Sequence, residues 1–313
     1  MKTTLYFLVA LMAFGLGACN KFKTDATTGR EFLLRQGPKT QYFGPGVTQF
    51  SGEKGMSFDI SDPFMSLETG DTIVGNPEFW LIEYKDKKDM MFSGVPTISN
   101  NQIIATGGAF KLTARINGEL VRPEHVDFFV PNPTNNPQME AFFANSDSTS
   151  FWNLDPWGFI YPLFGVGWNP DTVLNGIGQS GYQGYVNPIA DYFFSNGSMS
   201  INCDYFPSWG IPLTDISVRP SAEVALTPIQ NDVSLLFDSL EVYMPGQWNS
   251  LNSGYSFTNV PTGYNVTCLA VGVDNNQELY FGMLDFEIEE NGVYTFQMDP
   301  ITEEELEDIL DGL

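Results

Sequence analysis

From Ala109 to Ile116 the chain alternates without a break. Phe110, Leu112, Ala114 and Ile116 are apolar, and Lys111, Thr113 and Arg115 between them are polar. Side chains on an extended strand point to opposite faces in turn, so this period of two describes a strand with one buried face. Asn117-Gly118 follows, a pair whose tolerance of positive φ suits a two-residue hairpin turn, and Leu120 begins the return strand. Phe79 to Lys85 alternates too, with Trp80, Ile82 and Tyr84 on one face and Phe79, Leu81, Glu83 and Lys85 on the other. The same patterning returns in the last third. Val233–Met244 reads as a strand. Asn265–Val273 and Glu278–Leu284 read as a hairpin across Asp274-Asn275-Asn276-Gln277, and Phe286–Glu290 with Val293–Met298 as another across Asn291-Gly292. One helix stands out, from Thr302 to Leu313. Thr302 with Glu305 forms a capping box, Glu303 to Glu305 suit the positive end of the helix dipole, and Leu306, Ile309, Leu310 and Leu313 make one apolar stripe. Docking of that stripe on the last sheet is the expectation.

The fold class is therefore all-β: two β-sandwich-like domains, an aromatic and loop-rich middle segment, and a short C-terminal helix. The expected bounds are 42–213 for the first sandwich with its aromatic extension and 214–313 for an immunoglobulin-like second one. Seventeen aromatic residues lie between Phe142 and Trp209, and no Lys or Arg occurs from 123 to 209. Trp152, Trp157 and Trp168 in that stretch offer flat rings for stacking on sugars, beside Asn153, Asn169 and Asn175. The competing reading is that these rings fill a core. A row of exposed ring faces favours a glycan binder, and buried rings favour a scaffold.

The N-terminus reads as an export signal: Lys2, an apolar run from Leu5 to Leu16, then Leu16-Gly17-Ala18-Cys19. The run is too short for a bilayer span. Its end is similar to a bacterial lipobox, in which small residues admit the peptidase and the Cys19 thiol takes the diacylglycerol. Residues 1–18 are then the signal peptide and 19–41 a lipidated, polar tether. Acyl chains hold a protein at roughly 0.8 kcal/mol per buried methylene, so two or three chains give lasting attachment.

Charge is distributed unevenly. Residues 1–122 carry a net +1, whereas 123–313 hold only Arg219 against 26 acidic residues, and the chain totals −24. Such a surface repels phosphate backbones and excludes nucleic acid as a partner. The mature cysteines, Cys203 and Cys268, either pair across the two halves or serve separately as small buried hydrophobes. His125 stands alone, without the second and third imidazoles of a zinc site. No phosphate-binding or dinucleotide loop, no Gly-x-Ser-x-Gly elbow and no EF-hand is present, so neither cofactor nor metal is expected. The oxygen-rich turn from Asp274 to Glu278 reads as a plain hairpin loop ahead of a Ca²⁺ site.

Three stretches together resemble a family of uncharacterised Bacteroidota lipoproteins. The first is Ile82-Glu83-Tyr84-Lys85 through Gly94-Val95-Pro96-Thr97, with Ala105-Thr106-Gly107-Gly108-Ala109-Phe110. It is similar to a segment those proteins place in a β-sandwich akin to that of zonula occludens proteins and netrin receptors. The second, Ser200-Ile201-Asn202-Cys203-Asp204-Tyr205-Phe206, is similar to a Trp-Ile-Asn-Cys-Asp-Arg-Phe signature, with Ser200 at the Trp position and Tyr205 at the Arg position. The third comprises Asn259-Val260-Pro261-Thr262-Gly263, Leu279-Tyr280-Phe281-Gly282 and Pro300 to Leu306, similar to the small C-terminal sandwich of the family. The resemblance implies an envelope lipoprotein and supplies no catalytic residues. Four tripeptides, beginning at Asp71, Asp147, Asp171 and Asp238, look like the O-glycosylation motif of exported proteins of that phylum.

The functional expectation is a non-enzymatic lipoprotein of the outer membrane, on its periplasmic face or at the cell surface. It is anchored through Cys19 and serves in binding or assembly with a protein or glycan partner. The alternatives are a glycan-binding surface lipoprotein and a hydrolase with an unrecognised carboxylate site.

Overall fold

The computed structural model describes residues 22–99, 102–131, 140–144, 152–154, 159–163, 181–186, 199–205, 211–223 and 226–313. The protein is all-β; among the described residues it has two sheets, whose described strands follow, and three short helices. The first sheet has fourteen strands: β1 (Gln41–Phe43), β2 (Gln49–Ser51), β3 (Ser57–Ser66), β4 (Thr72–Ile73), β5 (Glu78–Tyr84), β6 (Ile98–Ser99), β7 (Gln102–Thr106), β8 (Ala109–Ile116), β9 (Glu119–Pro131), β10 (Glu140–Ala144), β11 (Trp152–Leu154), β12 (Phe159–Leu163), β13 (Gly181–Val186) and β14 (Met199–Tyr205). The second has eight: β15 (Leu213–Ala222), β16 (Asn231–Phe237), β17 (Tyr243–Pro245), β18 (Gln247–Asn249), β19 (Gly254–Pro261), β20 (Asn265–Val273), β21 (Leu279–Glu287) and β22 (Val293–Pro300).

The β8–β9 hairpin forms as its sequence predicts. Asn117 and Gly118 take φ of 54° and 85°, and Arg115 faces Leu120 across the turn. β8 pairs with β5 along nearly its whole length, and β9 pairs with β3. The inward residues of these four strands meet in one core of Phe58, Phe64, Phe79, Leu81, Phe110, Leu112, Val126 and Phe128. The Phe110 ring stands edge-on to Phe58 at 4.8 Å and to Phe128 at 5.4 Å, the arrangement that ring quadrupoles favour. The second sheet closes over its own core, which includes Val218, Leu235, Phe237, Phe257 and Cys268.

A third apolar cluster joins the two. Helix α1 (Gly29–Arg35) contributes Phe32 and Leu33, α2 (Lys87–Ser93) contributes Met90, Met91 and Phe92, and α3 (Glu303–Asp311) contributes Leu306 and Leu310. They pack with Tyr84 and Ile104 of the first sheet and Leu236, Leu269, Val271 and Leu279 of the second. Arg30 pins the same junction: its Nη1 donates to Met91 O at 2.9 Å and lies 3.4 Å from both Asp232 Oδ2 and the Tyr243 hydroxyl.

This junction corrects the tether expected at 19–41. From Phe22 the chain is fixed to the second sheet: Leu279 N donates to Phe22 O at 2.8 Å and Thr24 N to Gln277 O at 2.9 Å. Thr28 then caps α1 by accepting from Glu31 N. The Glu31 carboxylate accepts from the backbone and hydroxyl of Thr27 and pairs with Arg35, which together lower its pKa to about 2. Gly29 lies so close to β20 that a Cβ there would sit 1.9 Å from Val271 O. The polar composition concealed a docking segment, because two turns of helix need only Phe32 and Leu33 to be held.

Two further expectations change in detail. The C-terminal helix has its capping box, with Thr302 Oγ1 accepting from Glu305 N and the Glu305 carboxylate accepting from Thr302 N. It sits in the junction beside α1 and α2 rather than on the last sheet alone, with Gln36 donating to Glu307 and Lys88 to Asp311 O. Residues 286–298 do not form a simple hairpin. β22 runs parallel to β15, with Val293 opposite Ser217; its ladder with β21 is confined to Tyr280–Pro300 and Phe281–Asp299, while Phe286 and Tyr294 stack at 3.7 Å nearer the loop. The intervening loop is held by reciprocal bonds between Ile288 and the 263–264 backbone, with Ile288 buried.

A candidate binding groove on the first sheet

β5 buries Phe79 and Leu81, so Glu78, Trp80 and Ile82 point the other way. That opposite face is covered at one end and open at the other. Tyr84 is buried and Ile82 is packed in the junction, whereas Glu78 and Trp80 lie outside that cluster and are half-buried. Registration of β1 and β8 against β5 then decides who surrounds Trp80. Tyr42 of β1 lies opposite Trp80, Trp80 opposite Thr113, and Glu78 opposite Arg115.

The result is a ladder of side chains across three strands. The Tyr42 ring is 54% exposed and stands 5.3 Å from Trp80 at 45°. Arg115 places its guanidinium carbon 5.9 Å from the Trp80 ring centroid, within cation–π range. Its Nη1 donates to Gly118 O at 2.9 Å, so the hairpin turn aims it. Tyr42 donates its hydroxyl to Glu78 Oε1 at 2.7 Å, and that bond to a carboxylate, with some desolvation, raises the phenol pKa. Glu78, Trp80, Thr113, Arg115 and Gly118 line a solvent-open groove of about 500 Å³. A neighbouring cleft shares Arg115 and Gly118 and extends past Leu67, Glu68, Glu119 and Leu120.

Beneath this face lies a fully buried carboxylate that positions it. Glu83 accepts from Gln41 Nε2 at 2.7 Å, Lys54 N at 2.9 Å and Met56 N at 2.9 Å. Gln41 precedes Tyr42, and its Oε1 accepts from Glu53 N. Glu83 thus ties β1 and the β2–β3 turn to β5, and Gly52 leaves room for it, since a Cβ there would lie 2.2 Å from Oε2. Asp89 pairs with Lys54 and accepts from Lys85 N. These two carboxylates are occupied by the chain's own donors, as buried charges must be.

The residues singled out in the sequence fall elsewhere. Cys19, Trp157 and Trp168 lie outside the described residues, and Trp152 is described only as a backbone position in β11, opposite Ala144. Cys203 lies in β14 opposite Thr106 of the first sheet. Cys268 lies in β20 between Leu235 and Leu284 of the second, as a buried free thiol whose pKa burial pushes up. His125 is exposed on β9 with its Nε2 3.2 Å from Asp127 Oδ2. Asp274 turns its carboxylate onto its own hairpin, accepting from Asn276 N and Glu278 N at 2.8 Å. Of the four glycosylation-like tripeptides, Thr72 and Ser239 are exposed and the other two lie outside the described residues. Among the described residues there is no cluster of His, Cys, Asp or Glu suited to a metal ion, and no helix long and apolar enough to cross a membrane. Sequence reasoning passed over Tyr42, Glu78, Thr113 and Arg115 as members of a site. The polar face of β8, with Thr113 and Arg115, was the available signal; Trp80 lies on the more apolar face of β5 in the sequence pattern, and the β5–β8 register that gathers them is a long-range property.

No protein-family model matches the chain, and no curated protein matches it. Among solved structures the chain is similar to the Bacillus anthracis TIE protein at 9% identity and a TM-score of 0.20, over 84% of this chain. The chain spans about a third of that protein, 34% of its length. A likeness this slight carries no argument about fold or function.

Proposed function

We propose that the protein is a non-enzymatic lipoprotein of the cell envelope, acylated on Cys19, whose body binds a partner through the groove around Trp80. The observation that carries the binding role is that groove. An aromatic pair and a guanidinium are held in fixed register on a sheet face, open to solvent and flanked by Glu78 and Thr113. Exposed aromatic surface rimmed by polar groups marks interaction sites in soluble bodies. The anchor rests on Leu16-Gly17-Ala18-Cys19 and on the family resemblance. Its geometry has a consequence. Only Asn20 and Lys21 separate Cys19 from Phe22, which is bonded to Leu279. Three residues span at most about 10 Å, so the body stands on the bilayer with its Asp274–Glu278 turn near the point of attachment, rather than at the end of a leash. The partner is then a molecule met at the envelope, whether built there or arriving from outside. Photo-crosslinking in intact cells from position 113 tests this: the account expects an adduct that Trp80→Ala abolishes, and a blank from this position would overturn the binding role.

A further inference from the structure

We infer that the groove takes a neutral, pyranose-based polysaccharide, with Tyr42 and Trp80 as stacking rings and Arg115, Glu78 and Thr113 as hydrogen-bonding groups. This rests on the binding role proposed above and names its ligand class. Pyranose rings present an apolar C–H face and an equatorial rim of hydroxyls. A complementary site needs accessible aromatic surface with polar groups at its edge. The Tyr42 and Trp80 rings, 5.3 Å apart and inclined by 45°, supply an angled platform that follows the twist of consecutive sugar units. At the edge stand a guanidinium with five N–H donors, one of them directed to Gly118 O, and a carboxylate holding the Tyr42 hydroxyl through one oxygen. Donor and acceptor in opposed strand positions, Glu78 opposite Arg115, match a vicinal diol, which both donates and accepts.

Shape and charge narrow the ligand further. A small molecule is ordinarily enclosed over most of its surface, whereas this groove of about 500 Å³ is open to solvent and adjoins a second cleft through Arg115 and Gly118. An extended polymer lying across the face fits that form. Along the two clefts one cation, Arg115, stands against Glu78, Glu68 and Glu119. Acidic polysaccharides are disfavoured by that balance, and neutral ones are not.

Affinity gel electrophoresis of the full mature lipoprotein in mild detergent provides the test. The gels contain soluble starch, pullulan, dextran, barley β-glucan, galactomannan or yeast mannan, with pectin as the anionic comparison. The inference expects retardation by at least one neutral polymer and none by pectin. Tyr42→Ala and Trp80→Ala should each weaken binding about tenfold or more, the scale of a removed aromatic anchor, and Arg115→Ala should weaken it severalfold. Trp248→Ala, at an exposed tryptophan of the second sheet, should change nothing. Tyr42 is the decisive position because its exposed ring can be removed without opening the core. Mobility unaffected by every neutral polymer overturns the inference, as does retardation that survives both Tyr42→Ala and Trp80→Ala. A protein adduct from position 113 together with blank gels would refute the sugar and leave the binding role standing.

Discussion

Phe32→Ala is the substitution that separates a docked N-terminal segment from a tether. Phe32 is 1% exposed and sits in the cluster that also holds Met90 and Met91 of α2, Tyr84 of the first sheet and Val271 of the second. Truncating a buried Phe costs about 3–5 kcal/mol through lost transfer energy and the cavity left behind. Against a typical total of about 5–15 kcal/mol, that is a large fraction. For a chain of 313 residues, at an unfolding entropy of about 2.1 cal/mol/K per residue, it corresponds to a fall in Tm of about 5–8 °C. A residue in a solvated tether would change stability by no more than about 0.5 kcal/mol. Leu34→Ala, at a 49% exposed position on the same helix, is the internal control and should behave in that second way. Guanidinium unfolding gives the magnitude, and hydrogen exchange read by mass spectrometry gives its distribution. Because the cluster belongs to both sheets, peptides from β5, which carries Tyr84, and from β20 should lose protection together. An unchanged midpoint would refute the docking. Loss confined to β20 would refute the shared core.

Three other expectations follow from single features. Thr302→Ala removes the N-cap of α3 and should cost about 1 kcal/mol in urea unfolding; no change would mean that the capping box is inert. Burial raises the pKa of Tyr84, Tyr255 and Tyr280 to about 12 each, with Asp89, Asp232 and Glu278 adding to it, and that of Tyr243 further still. Unfolded tyrosines ionise near pH 10, so their contribution to stability is complete below pH 10 and declines as the pH climbs toward 12; a flat stability profile across that window would contradict the burial. Cys268 should resist iodoacetamide in the native protein and react fully in denaturant, and a Cys203–Cys268 link in non-reducing peptide maps would overturn its assignment as a free thiol.

What the sequence made legible was local. Ala109 to Gly118 names a strand and its turn in ten residues, because the alternation and the Asn-Gly pair act on neighbours. The α3 capping box and the self-capped Asp274 turn are equally short-range. What stayed hidden depends on partners distant in the chain. Residues 22–36 look polar, and their order comes from β20 and α2 rather than from helix propensity, as expected for a helix of seven residues. The parallel seat of β22 beside β15 is set by a crossover that no hairpin pattern encodes. The groove combines both cases. Alternation placed Thr113 and Arg115 on the polar face of β8 but set Trp80 on the more apolar face of β5, and only the β1–β5–β8 register gathers them with Tyr42 and Glu78. Tryptophan density drew attention to 142–209, while the described aromatic platform lies where tryptophan is sparse.

Intact mass of the protein extracted from membranes tests the account at its root. The prediction is a chain beginning at Cys19 whose mass exceeds the polypeptide by a diacylglyceryl group, with or without a third acyl chain, and which leaves the membrane fraction when Cys19 is replaced by Ser. A chain that begins elsewhere with no added lipid, or one that stays membrane-bound without the thiol, would contradict it.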